Sequence, residues 1–387
     1  MKWPFRKAET RADNDPADPS WQALINPGSL SGSGQFVDAR SAEGISTVFA
    51  AVNLIAGTVA SLPVHVFQRL DNGDRERATD HPLTRLLASM PNGTQTAFEM
   101  REQMTAQCLL SGNAYAEIRW NRAGEVTELL PIAPADVTVV KLPNNRHRYD
   151  VNTDGRMRSL LAEEVLHLRD RTEDGLVGRS RVQVAREMLG GALAQQAYGN
   201  RSWANGARLS GVLQTPHQMT DEGIKRLGLS WREQFSGSDN AGKTAILENG
   251  LEFTPLSMSN EDAQFLQSRQ FTVEEVARLF NIPPVLLADL RHANFSNSVE
   301  MMRHFVTVTL RPWLTRWEQA WHRSLLGPVG RGRYYIEHSA EGLLRGDSKH
   351  RAEFYKSGIE AGWMLPSEAR RLENLPAIEG IDDAPDV

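Results

Sequence analysis

Arg181-Val-Gln-Val-Ala-Arg-Glu-Met-Leu-Gly190-Gly-Ala-Leu-Ala-Gln-Gln-Ala-Tyr-Gly-Asn-Arg-Ser-Trp-Ala-Asn-Gly206 divides the chain into two halves of different character. Its pattern suits one helix, yet Ala185, Gly190, Gly191, Ala192, Ala194, Ala197 and Gly199 leave its middle almost without bulky side chains. Each glycine costs about 1 kcal/mol of helix stability relative to alanine. So many small residues therefore predict that another backbone packs close against residues 181–206.

Upstream of that helix the chain reads as α+β. Residues 1–40 are rich in Asp, Pro, Ser and Gly, a composition that predicts a flexible arm. Val48, Val52, Ile55, Val59 and Leu62 then recur at spacings of three and four, a core-facing helical stripe stopped by Pro63. Val64 to Arg69 reads as a strand and Asp71 to Asp74 as a turn. Thr96-Ala-Phe-Glu99 is a capping box, opening a helix to about Leu110 that holds Cys108 in its packed face. Strands are expected at Asn113–Trp120, Glu125–Ile132, Val137–Val140, Arg148–Asn152 and Val165–Arg169, with turn residues between them, in an antiparallel sheet.

Downstream, Thr220 to Phe235 is amphipathic, and Ala245–Glu248 and Leu251–Leu256 flank the hairpin dipeptide Asn249-Gly250. Asn260 to Asn281 is an apolar-striped helix ended by Pro283-Pro284. Asp289 to Ser298 is polar and loop-like. Val299 to Leu326 forms a long helix, with Met302, Phe305, Val306, Thr309, Trp313 and Trp317 on one side and a kink expected at Pro312. A strand at Tyr334–His338 and two short helices between Ser348 and Leu375, split near Gly362 and Pro366, complete the pattern.

Composition narrows the function classes. The 387 residues carry 43 basic and 48 acidic side chains, a net charge of −5, with 40% hydrophobic and 24% charged residues. That is a globular composition, and it argues against tight sequence-independent binding of nucleic acid. One cysteine excludes an internal disulfide framework and a thiolate zinc site. The N-terminus has no secretory pattern, and the apolar stretch Ile45–Phe67 is interrupted by polar residues and Pro63, so a soluble protein made in the cytoplasm is expected.

Gly237-Ser-Asp-Asn-Ala-Gly242-Lys243-Thr244 satisfies the P-loop pattern letter for letter. In a P-loop, backbone amides cradle phosphates, the Lys reaches the terminal phosphates, and the Thr binds magnesium. The context is reversed here: a helix precedes the glycines and a hairpin follows, whereas a phosphate site needs a strand running into a helix N-terminus. Val285 to Asp289, which would have to be the partner strand, follows two prolines. A P-loop ATPase is thus the alternative, along with a monomeric cytosolic binding module, and a helix-to-strand loop is the simpler reading. The histidines, His167 and His338 among them, show no catalytic spacing and read as structural or exposed.

From about residue 44 to 376 the chain resembles the portal proteins of tailed bacteriophages, in their shorter siphophage-type branch. The segments that carry the resemblance are Thr47-Val-Phe-Ala-Ala-Val-Asn-Leu-Ile-Ala56 with Ser61-Leu-Pro-Val64, Gly112-Asn-Ala-Tyr115, Asp174-Gly-Leu-Val-Gly178 and Ala204-Asn-Gly-Ala207. They continue with Glu261-Asp-Ala-Gln-Phe-Leu266, Val273-Glu-Glu-Val-Ala-Arg278, Ile282-Pro-Pro284, Phe295-Ser-Asn297, Thr309-Leu-Arg-Pro-Trp-Leu314, Leu343-Leu-Arg-Gly-Asp347 and Glu373-Asn-Leu-Pro376. Portals of gene transfer agents are related.

The resemblance implies a homo-dodecameric ring at one capsid vertex, through which double-stranded DNA enters and leaves, with no catalytic residue, cofactor or metal. It implies an α/β wing, an antiparallel helical stem, a small α/β clip and a helical crown. By order along the chain, these are an arm at 1–40, wing at 41–180, first stem helix at 181–206, clip at 207–257 and second stem helix at 258–285. A tunnel loop at 286–297, a kinked wing helix and strand at 298–339, a crown at 340–376 and an acidic tail at 377–387 follow. The implied partners are further copies of the chain, DNA, the terminase large subunit, a head–tail adaptor and the major capsid protein, with no membrane. The implied location is the virion, after assembly in the host cytoplasm. In the tunnel loop, Arg291, His292, Asn294 and Phe295 are the residues expected near DNA. In the clip, Trp231, Arg232, Gln234 and Lys243 are those expected to meet the terminase or adaptor.

The charge sits at one end. Residues 360–387 carry seven acidic and two basic side chains, so this segment holds the whole net excess of −5.

Overall fold

The computed structural model describes residues 30–204, 211–216, 220–226, 229, 252–255, 260–289, 298–340, 348–373, 375–376, 378 and 380–383. In chain order the elements are α1 (Ala39–Glu43), α2 (Ser46–Ser61), β1 (Val64–Arg69), β2 (Arg75–Arg77), α3 (Pro82–Ala88) and α4 (Ala97–Ser111). Next come β3 (Asn113–Trp120), β4 (Val126–Ile132), β5 (Val137–Lys141), β6 (His147–Thr153), β7 (Arg156–Leu161) and β8 (Val165–Arg169). Then α5 (Arg181–Val184), α6 (Arg186–Ala204), β9 (Gly211–Gln214), β10 (Glu252–Pro255) and α7 (Asn260–Phe280) follow. The last are α8 (Ser298–His304), a π-helical turn (Phe305–Leu310), α9 (Arg311–Ser324), α10 (Pro328–Arg333), β11 (Tyr334–His338), α11 (Ser348–Glu360) and α12 (Pro366–Leu372). Residues 221–226 are also helical. The fold class is α+β, as the sequence indicates.

The chain divides into two compact units, Met1–Ala51 with Ser180–Phe280 and Val52–Arg179 with Asn281–Val387. In the second unit, the expected sheet is three small antiparallel sheets, in strand orders β11-β1-β2, β4-β3-β8 and β5-β6-β7. Among the described residues none of these strands exceeds eight residues, and the β3–β4 pairing shifts register at a bulge between Arg119 and Trp120. Tyr115, Ile132 and Val165 from one sheet pack on Tyr149, Val151 and Leu160 from the next, forming a shared core.

The capping box forms as the sequence predicts, with Glu99 N donating to Thr96 Oγ1 and Thr96 N donating to Glu99 Oε2 at 2.8 Å. The same helix buries Arg101, whose Nη1 donates to Leu62 O at 2.8 Å where Pro63 stops α2. Burial holds that guanidinium down to about 10. Trp313, Trp317 and Trp321, one helical turn apart, are all buried on α9. The indole of Trp317 donates to Thr105 Oγ1 at 3.0 Å, and Trp321 stacks on His338 at 5.0 Å.

Several expectations are corrected. Residues 30–40, placed in the flexible arm, are folded: Leu30 bridges Phe36, Ser31 is buried, and Asp38 caps α1 with a reciprocal Ser41 bond. The helix at 181–206 is interrupted at Ala185, so α5 and α6 are separate. The kink at Pro312 takes the form of a π-turn just before it. One extra residue per turn rotates the preceding segment by about 100°, which carries Met302 off the apolar face to 43% exposure while Phe305, Val306, Thr309, Trp313 and Trp317 stay buried. Val285–Asp289, read from its two preceding prolines as a poor strand, is none: Pro284–Leu287 is a 3-10 turn.

Candidate functional site

All eight residues singled out by the sequence, Arg291, His292, Asn294 and Phe295 together with Trp231, Arg232, Gln234 and Lys243, lie outside the described residues, as does Gly237–Thr244. The structure instead defines what flanks the segment expected as the tunnel loop. After α7, Asn281 adopts φ 57° and the 3-10 turn Pro284–Leu287 ends on Ala288 at φ 62°, both in the left-handed region that side chains other than asparagine rarely enter. Ala288 N donates to Val285 O at 3.1 Å and Asp289 N to Pro284 O at 3.2 Å, so the turn is closed on itself before residue 290. On the far side the chain re-enters α8 at Ser298.

In the first unit, α5 and α6 run antiparallel to α7. Arg181 Nη1 donates to Leu279 O at 3.0 Å with its guanidinium 5.9 Å over Phe280. Further along, Gln195 and Gln196 face Gln270 and Thr272 across a cavity of about 410 Å³ that Ser46 and Thr47 also line. The lining mixes these polar side chains with Ile45, Ala192 and Val273 and carries no charge. The small residues of α6 have a local explanation at one position: a Cβ on Gly190 would overlap the side chain of Ser31, whereas one on Gly191 would meet nothing within 4 Å. The segment expected as an arm is thus the close-packed neighbour at Gly190. β10 pairs antiparallel with β9, a strand the sequence pattern did not signal. The other expected strand, Ala245–Glu248, lies outside the described residues.

Two of the segments that carry the family resemblance, Gly112–Tyr115 and Asp174–Gly178, meet in the second unit. Asn113 Nδ2 donates to Gly178 O at 2.9 Å and Gly178 N to Asn113 Oδ1 at 2.8 Å. Asp174 Oδ1 accepts from Leu176 N and Val177 N, which rounds the loop and holds the carboxyl below its usual range. The backbones touch: a Cβ on Gly112, itself at φ 81°, would lie 2.6 Å from Gly178 O, and one on Gly178 would fall on Gly112 O. These residues act as a backbone clasp.

His167 lies beneath that clasp. Because Asn113 Oδ1 is an acceptor already, the 3.0 Å contact makes His167 Nε2 the donor to it. His167 Nδ1 then accepts from the Tyr149 hydroxyl at 3.1 Å, and that oxygen accepts from His147 Nε2 at 3.1 Å. Both ring nitrogens are engaged and the ring is 1% exposed, a structural histidine. Burial, with Arg169 and Arg323 nearby, holds its pKa well below the usual histidine range. The unfolded chain would take up a proton near pH 6.5 that the folded chain refuses. Stability is therefore retained above pH 6.5 and lost as pH falls toward the folded pKa, by about 1.4 kcal/mol per pH unit for this one group. The buried His338, also lowered, acts in the same direction. The unfolding midpoint should fall between pH 7 and pH 5, and less steeply in His167→Gln; equal slopes would exclude this role.

Among the described residues no group of three or more His, Cys, Asp and Glu side chains is placed to hold a metal ion, and no helix is long and apolar enough to cross a membrane. Cys108 is fully buried, 3.5 Å from Gly112 O, in the packed position expected for it.

Comparison with known proteins gives a consistent result. A family model described as phage portal protein matches residues 46–374. The portal protein of Enterobacteria phage HK97 is 35% identical over 344 residues, covering 88% of this chain and 81% of its own. The probable portal protein of Streptomyces phage phiC31 is 33% identical over 384 residues, covering 95% and 82% respectively. A chain of the neck of the native gene transfer agent particle, a structure computed with C12 symmetry, aligns with a TM-score of 0.62 at 25% identity, covering 92% of this chain and 99% of that one.

Proposed function

The chain belongs to the phage portal protein family, and from that premise we propose that it forms a dodecameric ring at one vertex of a phage or phage-like particle, as the conduit for double-stranded DNA. The observation that carries this reading is the co-linear match over residues 46–374, joined to the C12 symmetry of the gene transfer agent neck whose chain shares this fold. The protein is then a virion component without catalytic chemistry of its own. The work of packaging comes from ATP hydrolysis by a separate terminase docked, like the head–tail adaptor, at the clip, residues 207–257, through Trp231, Arg232, Gln234 and Lys243. Residues 181–206 and 258–285 serve as stem helices, 340–376 as the crown, and the wing faces the major capsid protein.

A conduit must let DNA slide. Six to ten phosphate contacts would add roughly 10³–10⁵ in salt-dependent affinity, which would hold the duplex in place. A chain of net charge −5, with the excess confined to residues 360–387, meets that requirement. The acidic tail, residues 377–387, repels DNA, and Arg291 supplies one cation per subunit in the tunnel loop beside the neutral Asn294 and Phe295 and the weakly basic His292.

Electron microscopy of the purified protein tests the reading. The expected result is axial rings; in particles, twelve-fold density at a single vertex. Dispersed single globules at every concentration, with no vertex density in particles, would refute it.

A further inference from the structure

The carbonyl of Val308 is where the regular α-helical ladder must break. In an α-helix it would take the N–H of residue 312, and residue 312 is proline, which has none. The chain answers with the π-turn Phe305–Leu310, in which Arg311 N reaches back to Val306 O. The Val308 carbonyl is then met from outside the helix: Asn281 Nδ2 donates to it at 3.3 Å. The next residue completes the contact, because the Thr309 hydroxyl donates to Asn281 O. Thr309 is buried, and Asn281 stands at φ 57°, which asparagine tolerates better than other side chains. Side chain and backbone of one residue are thus used by two consecutive residues of the π-turn.

We propose that Asn281 is a positioning residue that replaces the N–H missing at Pro312, and so ties the residue just after α7 to the π-turn that leads into α9. Its functional weight rests on the reading of 286–297 as the tunnel loop, because Asn281 and Val308 bracket that segment. Short π-turns inside α-helices interrupt the regular ladder and concentrate at functional sites. Here the interruption is matched by one side chain from the other side of the loop. Two resemblance segments, Ile282-Pro-Pro284 and Thr309–Leu314, adjoin the contact, and neither showed by itself that the two meet.

The test uses the full chain assembled in rings, with Asn281→Gly, which keeps the positive φ and removes the carboxamide. Amide hydrogen exchange over 281–289 and 305–313 should quicken by about threefold to tenfold, the equivalent of one net hydrogen bond. Pro312→Ala restores an N–H to the Val308 carbonyl, so in that background Asn281→Gly should leave exchange unchanged. An equal effect in both backgrounds, or none in either, overturns the proposal. Thr309→Val, nearly isosteric but without the hydroxyl, should quicken the same amides, and Thr309→Ser should not. It keeps the test open if Asn281→Gly rings do not assemble. DNA content of particles is read in parallel. Exchange that follows the pattern with unchanged packaging supports the clamp and counts against the tunnel-loop reading instead.

Discussion

Gly178→Ala should lower the unfolding midpoint of the second unit by roughly 6–12 °C, which corresponds to about 3 kcal/mol in a unit of this size. The new Cβ would fall on the carbonyl oxygen of Gly112 and within 2.9 Å of Asp170 N. Neither can give easily. Gly112 O accepts from Asp170 N at 2.9 Å, and Asn113 and Arg169 are paired across β3 and β8. Any shift also stretches the two hydrogen bonds between Asn113 and Gly178, whose Asn113 side chain fixes the ring of His167. Gly112→Ala should be at least as damaging, because it adds a left-handed φ of 81° to the overlap. Gly191→Ala is the control: nothing lies within 4 Å of it, and a helical alanine there should not destabilise the chain. Thermal unfolding followed by circular dichroism separates these outcomes. A Gly178→Ala midpoint within a degree or two of the parent would show that the clasp can open without cost.

Deleting residues 290–296 should leave rings intact and cause near-complete loss of DNA-filled particles. The segment lies between the closed turn Pro284–Leu287, ended on Ala288, and the start of α8 at Ser298, so its removal spares every described hydrogen bond on either side. It takes away Arg291, His292, Asn294 and Phe295, which the family resemblance places next to DNA. Arg291→Ala alone removes one cation per subunit and should act more weakly, through the salt dependence of DNA retention. Ring assembly by microscopy and packaged DNA by nuclease protection measure the two halves of the expectation. Full packaging by the deletion would count against any role of this loop, whereas rings that fail to assemble would reassign it to subunit contacts.

The strand bounds show how far a local pattern carries. β3, β8 and β11 were legible to the residue, because short runs of aromatic and aliphatic residues stood between clear turn residues. β7 was not: Arg156-Met-Arg-Ser-Leu-Leu161 leaves five of six residues exposed, so its sequence has no buried period to read. It is a strand because β6 offers it a partner, from Arg148 opposite Leu161 to Thr153 opposite Arg156. α3 was missed for a different reason. It is seven residues long, too short for a helical period to stand out, and it starts on Pro82 with His81 Nδ1 as the cap for Leu83 N.

The candidate site divides in the same way. The two prolines after α7, the polar loop and the proline inside the long helix are local signals, each with a steric cause, and they marked the boundaries of the loop segment. That the proline at 312 would be answered by the carboxamide at 281 left no local signal, since the two positions are joined only through 30 intervening residues.

The sequence alone determined most of the longer helices and strands, the α+β class and the portal family, because these depend on neighbours within a turn or two and on motifs preserved in order. Only the tertiary structure decided the partners. β11 lies on β1 with Tyr334 opposite Gln68, Gly190 receives Ser31, Gly112 receives Gly178, and Asn281 completes Val308. Gly190 and Ser31 meet by close packing, whereas strand pairing and the bonds at Gly178 and Val308 use backbone groups left over once local structure has formed. That remainder is known only when distant segments have been brought together.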